Sequence, residues 1–195
     1  MLNNANFNIW ISAFLFLLFL CYYDGMKINL SLLTIITLLV GSIFSLTTVV
    51  IDFRRFFAYG GDWFIFSGTM FPHPATTACF YGAFAFLGAF IFAVWILKIE
   101  DARKYAWYVY LVSFLIAGNL FAWTNTGLLF YRFYTASPGE GVSCSGVPIT
   151  NPFTTPCFIG ALLFLLSLIV GIITLFYYRY KIQKDNMLPI DKKAV

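Results

Sequence analysis

The sequence predicts an all-α integral membrane protein: five transmembrane helices, with a four-helix core of two duplicated parallel-topology hairpins plus one N-terminal flanking helix. Three observations predict it. Of 195 residues, 61% are hydrophobic, 21% aromatic and only 10% charged, where soluble domains carry about 25% charged residues. Five windows are apolar enough to cross the hydrocarbon layer, which takes roughly 20 residues of helix. The second and third windows recur in the fourth and fifth at a nearly constant shift. The same composition excludes disorder, a coiled coil and a nucleic-acid-binding surface, since each requires more charge.

The first window covers residues 7–23. Met1 to Asn8 contains no Lys or Arg, and no small-residue cleavage site follows, so a helix over residues 1–27 is expected in preference to a secretory signal. Windows at 28–51 and 77–97 make a first hairpin repeat over 28–104, with a loop at 52–76. Windows at 106–124 and 157–178 make a second over 105–180, with a loop at 125–156 and a tail at 181–195. No window contains Asp, Glu, Lys, Arg or His, as the cost of placing charge in lipid requires.

Basic residues set the orientation. Lys27, Lys98, Arg103, Lys104, Arg179, Lys181, Lys184, Lys192 and Lys193 fall on one side, and only Arg54, Arg55 and Arg132 on the other. The positive-inside rule then predicts an extracytoplasmic N-terminus and a cytoplasmic C-terminus, in a plasma or inner membrane. The net charge of +4 is therefore a topology signal. The short connections would be cytoplasmic, and the two long, Gly- and Pro-rich ones would carry the distinctive chemistry outside.

The repeat is specific. At a shift of 77, Gly41 matches Gly118, Phe44 matches Phe121, Phe53 matches Phe130, Arg55 matches Arg132 and Phe56 matches Phe133. At 78, Asp62 matches Glu140, Ser67 and Gly68 match Ser145 and Gly146, and Pro74, Thr76 and Thr77 match Pro152, Thr154 and Thr155. Cys79, Gly82 and Ala83 then match Cys157, Gly160 and Ala161. Hydrophobic composition alone does not align Arg, acid, Pro, Thr-Thr and Cys. The shared Pro-x-Thr-Thr-x-Cys-Phe-x-Gly-Ala reads as a capped helix start with small residues for close backbone approach. On the pseudo-axis, the two motifs could also form a ligand site.

Cys21 reads as a small buried apolar residue. Cys79, Cys144 and Cys157 all fall on the outer side, where a disulfide is permitted. A Cys144–Cys157 bridge would contribute about 3 kcal/mol by limiting the unfolded chain. Its rival is Cys79–Cys157 across the pseudo-axis, and the pairing is open. Redox catalysis with these cysteines is the sharper alternative, but no Cys-x-x-Cys pair is present. His73, the single histidine, has no neighbours at metal-ligand spacing and is expected as an exposed loop residue. Arg55 and Arg132 are candidates for an anionic headgroup; the simpler expectation pairs them with the loop acids Asp62 and Glu140. Asn119 and the Ser and Thr residues within the windows should be absorbed by helix-to-helix hydrogen bonds.

The function expected from these residues is a non-catalytic multi-pass subunit packing within a larger membrane complex, its duplicated loops forming a contact or small-ligand surface. The expected partners are the lipid bilayer and other membrane subunits or a second copy, with no nucleic acid, metal or cofactor. The alternatives are a membrane thiol/quinone oxidoreductase using Cys79, Cys144 and Cys157, with quinone as its co-substrate, and a binder of an anionic lipid or similar amphiphile.

Overall fold

A computed structural model describes residues 29–64, 72–136 and 141–187. The expected first helix, residues 7–23, lies outside the described residues, as do Ser67, Gly68, Glu140 and most of the tail. Among the described residues the protein is all-helical, with four helices long and apolar enough to span a membrane. They are α1 (Leu30–Ala58), α2 (Ala78–Leu97), α3 (Asp101–Thr135) and α4 (Pro156–Met187).

Three of the four helices begin at a side-chain cap, whereas α3 starts after Glu100 without one. The Asn29 side chain accepts from the Ser31 N–H at 3.2 Å, opening α1. Thr77 and Thr155 each accept from the N–H three residues on, both at 3.4 Å, opening α2 and α4. Such caps satisfy backbone donors that a helix start leaves orphaned. At the end of α1, Gly60 takes a left-handed φ of 79°, which turns the chain without a Cβ clash.

Helix ends differ from expectation: α3 starts at Asp101, before the window at 106, and α4 runs past 178 into the expected tail, to Met187. Helix α1 continues past residue 51 through Asp52, Arg54 and Arg55 to Ala58, and α3 continues past 124 through Arg132 to Thr135. The apolar windows stop at the first polar residues, whereas a helix satisfies its own backbone hydrogen bonds whatever the side chains are. Both long loops are correspondingly shorter, and both arginines are helical. Asp52 is drawn onto a helix as well, and it is buried.

Helices α1 and α2 pack as one hairpin and α3 and α4 as another; α1 also packs on α4, and α2 on α3. The core between them holds Leu38, Phe86, Ala89, Ala93, Ile96, Leu111, Leu115 and Phe164. On α2 the buried residues 86, 89, 93 and 96 keep the three- and four-residue spacing of one helix face. The opposite faces expose Ile43, Val50, Phe84, Ile91, Leu120 and Phe176, an arrangement suited to surrounding lipid.

Close approach is built from glycine against phenylalanine. A Cβ on Gly41 would fall 2.2 Å from Phe86 Cε1, and one on Gly118 would fall 2.4 Å from Phe164 Cε1. The two rings meet with centroids 4.2 Å apart. Polar links add to this packing. Thr34 and Thr174 hydroxyls are 2.9 Å apart between α1 and α4, as are the Ser31 and Tyr178 hydroxyls. Asn119 Nδ2 donates from α3 to the Phe164 carbonyl at 3.1 Å. Such interhelical bonds are typically worth about 0.6 kcal/mol each within a membrane; contrary to expectation, Thr37, Ser42, Thr47 and Ser113 instead donate to carbonyls of their own helices.

Candidate functional site

The end of the bundle that carries the two longer connections assembles the site. Each connection enters its helix through a 3₁₀ turn, Pro74–Thr76 before α2 and Pro152–Thr154 before α4. The local hydrogen bonds agree pair by pair. His73 Nδ1 accepts from Ala75 N–H at 3.2 Å, and Asn151 Oδ1 accepts from Phe153 N–H at 2.9 Å. Thr77 Oγ1 donates to Pro74 O, and Thr155 Oγ1 to Pro152 O, both at 2.7 Å. Proline starts each turn and threonine ends it, and cysteine is the second residue of the helix that follows, in α2 and in α4.

His73 corrects an expectation. It is 3% exposed, not an exposed loop residue. Its ring lies edge-on to Phe56, centroids 4.9 Å apart, and to Phe53 at 6.0 Å. A histidine that caps a turn through Nδ1 has part of its polarity satisfied, and the aromatic walls of α1 can then bury it.

A small β-like turn carries the third cysteine. Val142 bridges Pro148, Ser143 N–H bonds Val147 O at 2.7 Å, and Gly146 closes the turn with a φ of 77°. Cys144 lies in this turn and reaches Cys157 at disulfide-bonding distance. Cys79 is the free cysteine among the described residues, and its Sγ is 3.1 Å from Cys157 Sγ. Thr126 Oγ1 donates to the Cys157 carbonyl at 3.5 Å, tying this first turn of α4 to α3. Both pairings left open by the sequence therefore converge on Cys157. The three sulfurs all lie within 4.8 Å of one another, but with Cys144 joined to Cys157 a single free thiol remains.

Below the sulfurs an apolar cleft of about 60 Å³ descends between the two hairpins. Cys79, Cys157, Phe44, Phe86, Phe121 and Phe164 line it, and Gly82 and Gly160 leave space in it. A Cβ on either of those glycines would meet nothing within 4 Å. Seven residues of helix separate Cys79 from Phe86, so the cleft runs about 10 Å along the bundle axis.

The remaining candidates fall around this centre. Asp52 is 6% exposed and its Oδ2 has no hydrogen-bond partner. With Arg55, Pro72, Pro74, Thr77 and Ser145 it lines a small niche. Arg55 Nη1 is 4.0 Å from Asp52 Oδ1, and Asp62 is exposed. Arg132 is exposed near the end of α3. The sequence reading missed Asp52, because it treated residue 52 as the first of a loop; the available signal was a carboxylate directly following an apolar run. No protein-family model, curated protein or solved structure significantly matches the chain.

Proposed function

We propose that this protein is a membrane thiol/quinone oxidoreductase whose three cysteines relay electrons from extracytoplasmic thiols into the bilayer. The observation that carries the reading is the 3.1 Å approach of the Cys79 sulfur to Cys157, itself at bonding distance from Cys144, with Cys79 and Cys157 both lining an apolar cleft. A Cys-x-x-Cys pair supplies a resolving thiol by sequence; here two helix starts supply it in space. The frame for it is a tandem duplication: two hairpins with matched glycine–phenylalanine contacts, matched 3₁₀ turns and matched cysteines, related by a pseudo-two-fold axis along the membrane normal. The basic residues favour placing the cysteine end outside the cytoplasm, where substrate thiols and disulfides coexist.

The chemistry balances without a resident cofactor. A substrate thiolate attacks Cys144 Sγ, the Cys144–Cys157 bond breaks, and the electron pair leaves on Cys157. A second substrate thiol resolves the mixed disulfide, leaving Cys144 reduced and the substrate oxidised. Cys79 and Cys157 then give two electrons and two protons to a quinone, forming the Cys79–Cys157 bond and a hydroquinone. Finally Cys144 attacks Cys157, restoring the first bond and the Cys79 thiol. An apolar, aromatic-walled cleft lined by Cys79 and Cys157 suits an electron acceptor that travels in lipid.

The test uses the full chain in lipid nanodiscs with dithiothreitol and a short-chain ubiquinone analogue. The expected result is catalytic quinone reduction that Cys157→Ser abolishes. Gly160→Leu, which fills the cleft, should block quinone reduction while leaving the Cys144–Cys157 bond reducible. A wild-type protein that reduces no quinone, with its bridge permanently closed, would overturn the proposal and favour the packing subunit that the composition also suits.

A further inference from the structure

In the proposed alignment of the two halves, Cys79 and Cys157 are partners, and two sulfurs are enough for a disulfide. Cys144 is additional, since Phe66 occupies its position in the first copy. The turn that carries it is well braced. Val142 bridges Pro148, the Ser143 hydroxyl accepts from Val147 N–H at 3.1 Å, and Gly146 closes the turn. A third sulfur thus arrives from a separate segment, and all three lie within 4.8 Å of one another.

That spacing suits a metal ion. Metal–thiolate bonds are about 2.3 Å long, so three sulfurs in a plane around one ion stand about 4 Å apart. Cys79 and Cys157 are 3.1 Å apart, and parting them by about 1 Å brings that pair to the same spacing. Both also occupy favourable ground for anions. Each is the second residue of a long helix, α2 or α4, where backbone N–H groups and the helix dipole stabilise a thiolate.

The ligand set selects the ion. Hard cations take oxygen ligands, whereas thiolates select Cu(I) or zinc. Structural zinc takes four protein ligands, and among the described residues this group has three, with no further His, Cys, Asp or Glu in it. Cu(I) accepts a trigonal set of thiolates. The three cysteines are partly exposed, so the ion reaches them from the loop end.

We propose that the reduced protein binds one Cu(I) ion between Cys79, Cys144 and Cys157, and that disulfide formation expels it. A dithiol opens the Cys144–Cys157 bond, giving up two electrons and two protons and becoming a disulfide itself. Each sulfur that then ligates the ion releases its proton. Oxidation of Cys79 and Cys157 sends two electrons to the quinone, which takes two protons from the medium; Cys144 is left as a single ligand and the ion departs. Release rests on the redox reading above, but capture needs no quinone.

The experiment titrates Cu(I) into the full chain in lipid nanodiscs, reduced with a phosphine and kept anaerobic, against the chelator bathocuproine disulfonate. One ion per chain should be retained, with X-ray absorption showing three sulfur ligands. Cys144→Ser should weaken retention by more than the about 10–100-fold that loss of an outer-shell partner costs. Cys21→Ser should leave it unchanged, and wild type with its bridge closed should retain none. If Cys144→Ser does not assemble, alkylation of the reduced wild type is the second arm: Cu(I) should protect Cys79, Cys144 and Cys157 together from iodoacetamide, read by peptide mapping.

No Cu(I) held against the chelator, a shell of two sulfurs, or Cys144 alkylated equally fast with and without the ion overturns the proposal. Quinone is absent from this assay. A chain that captures Cu(I) but reduces no quinone keeps the site and loses the redox reading, so the two failures are distinguishable.

Discussion

Replacing Gly41 by alanine places a methyl carbon 2.2 Å from Phe86 Cε1, where carbon atoms ordinarily stay about 3.5–4.0 Å apart. The Phe86 ring would have to retreat by more than an ångström, yet it is 2% exposed and its centroid is 4.2 Å from that of Phe164. Overpacking of a filled core costs about 1–3 kcal/mol, and a ring blocked on its far side belongs at the upper end. Three kcal/mol is on the order of a 100-fold loss in the folding equilibrium. Gly118→Ala meets Phe164 Cε1 at 2.4 Å and should cost the same within about 1 kcal/mol, if the hairpins are copies. Gly82→Ala is the control, with nothing within 4 Å, and should shift stability by less than about 0.5 kcal/mol. The assay is reversible denaturant unfolding in mixed micelles. In Gly41→Ala with Phe86→Leu, the ring that causes the clash is gone, so the double variant should be more stable than the sum of its single changes allows. A neutral Gly41→Ala, or strict additivity with Phe86→Leu, would refute the close-approach argument.

Other outcomes follow from the same geometry. Thr174→Val removes the 2.9 Å link to Thr34 and the 3.2 Å bond to the Leu30 carbonyl; it should cost about 1 kcal/mol in the same unfolding assay. His73→Ala removes the cap on Ala75 and the ring contact with Phe56, and should destabilise by about 2 kcal/mol, with faster hydrogen exchange confined to residues 72–80. A single cysteine introduced at Lys184 should be labelled only from the compartment opposite to the one that reaches Cys144 after mild reduction; labelling of both from one side would contradict the proposed topology.

The membrane-spanning helices were legible because twenty-odd uncharged residues in succession have few other uses. Their ends were not, since Asp52, Arg55 and Arg132 interrupt hydropathy without interrupting the helical backbone. The cap residues Thr77 and Thr155 were readable from local rules alone, as each acts on an N–H three residues away. His73 was misread for the opposite reason: its burial depends on Phe53 and Phe56, which lie on a different helix and reach it only after the hairpin closes. The cysteines form an intermediate case. Both plausible partners of Cys157 were visible in the sequence, and only the tertiary structure places them on the same sulfur at once. Asp52 was hidden by a helix boundary placed at residue 51, short of the helix end at Ala58, although the proposed alignment of the two halves sets it against Leu129.

The direct test of the central claim is a non-reducing peptide map of Cys144→Ser, purified from its native membrane with thiols blocked during lysis. Cys79 Sγ already lies 3.1 Å from Cys157 Sγ, about 1 Å beyond a covalent S–S bond. Exchange between the pairings therefore predicts a Cys79–Cys157 disulfide in this variant. Recovery of Cys79 and Cys157 as two free thiols would contradict it.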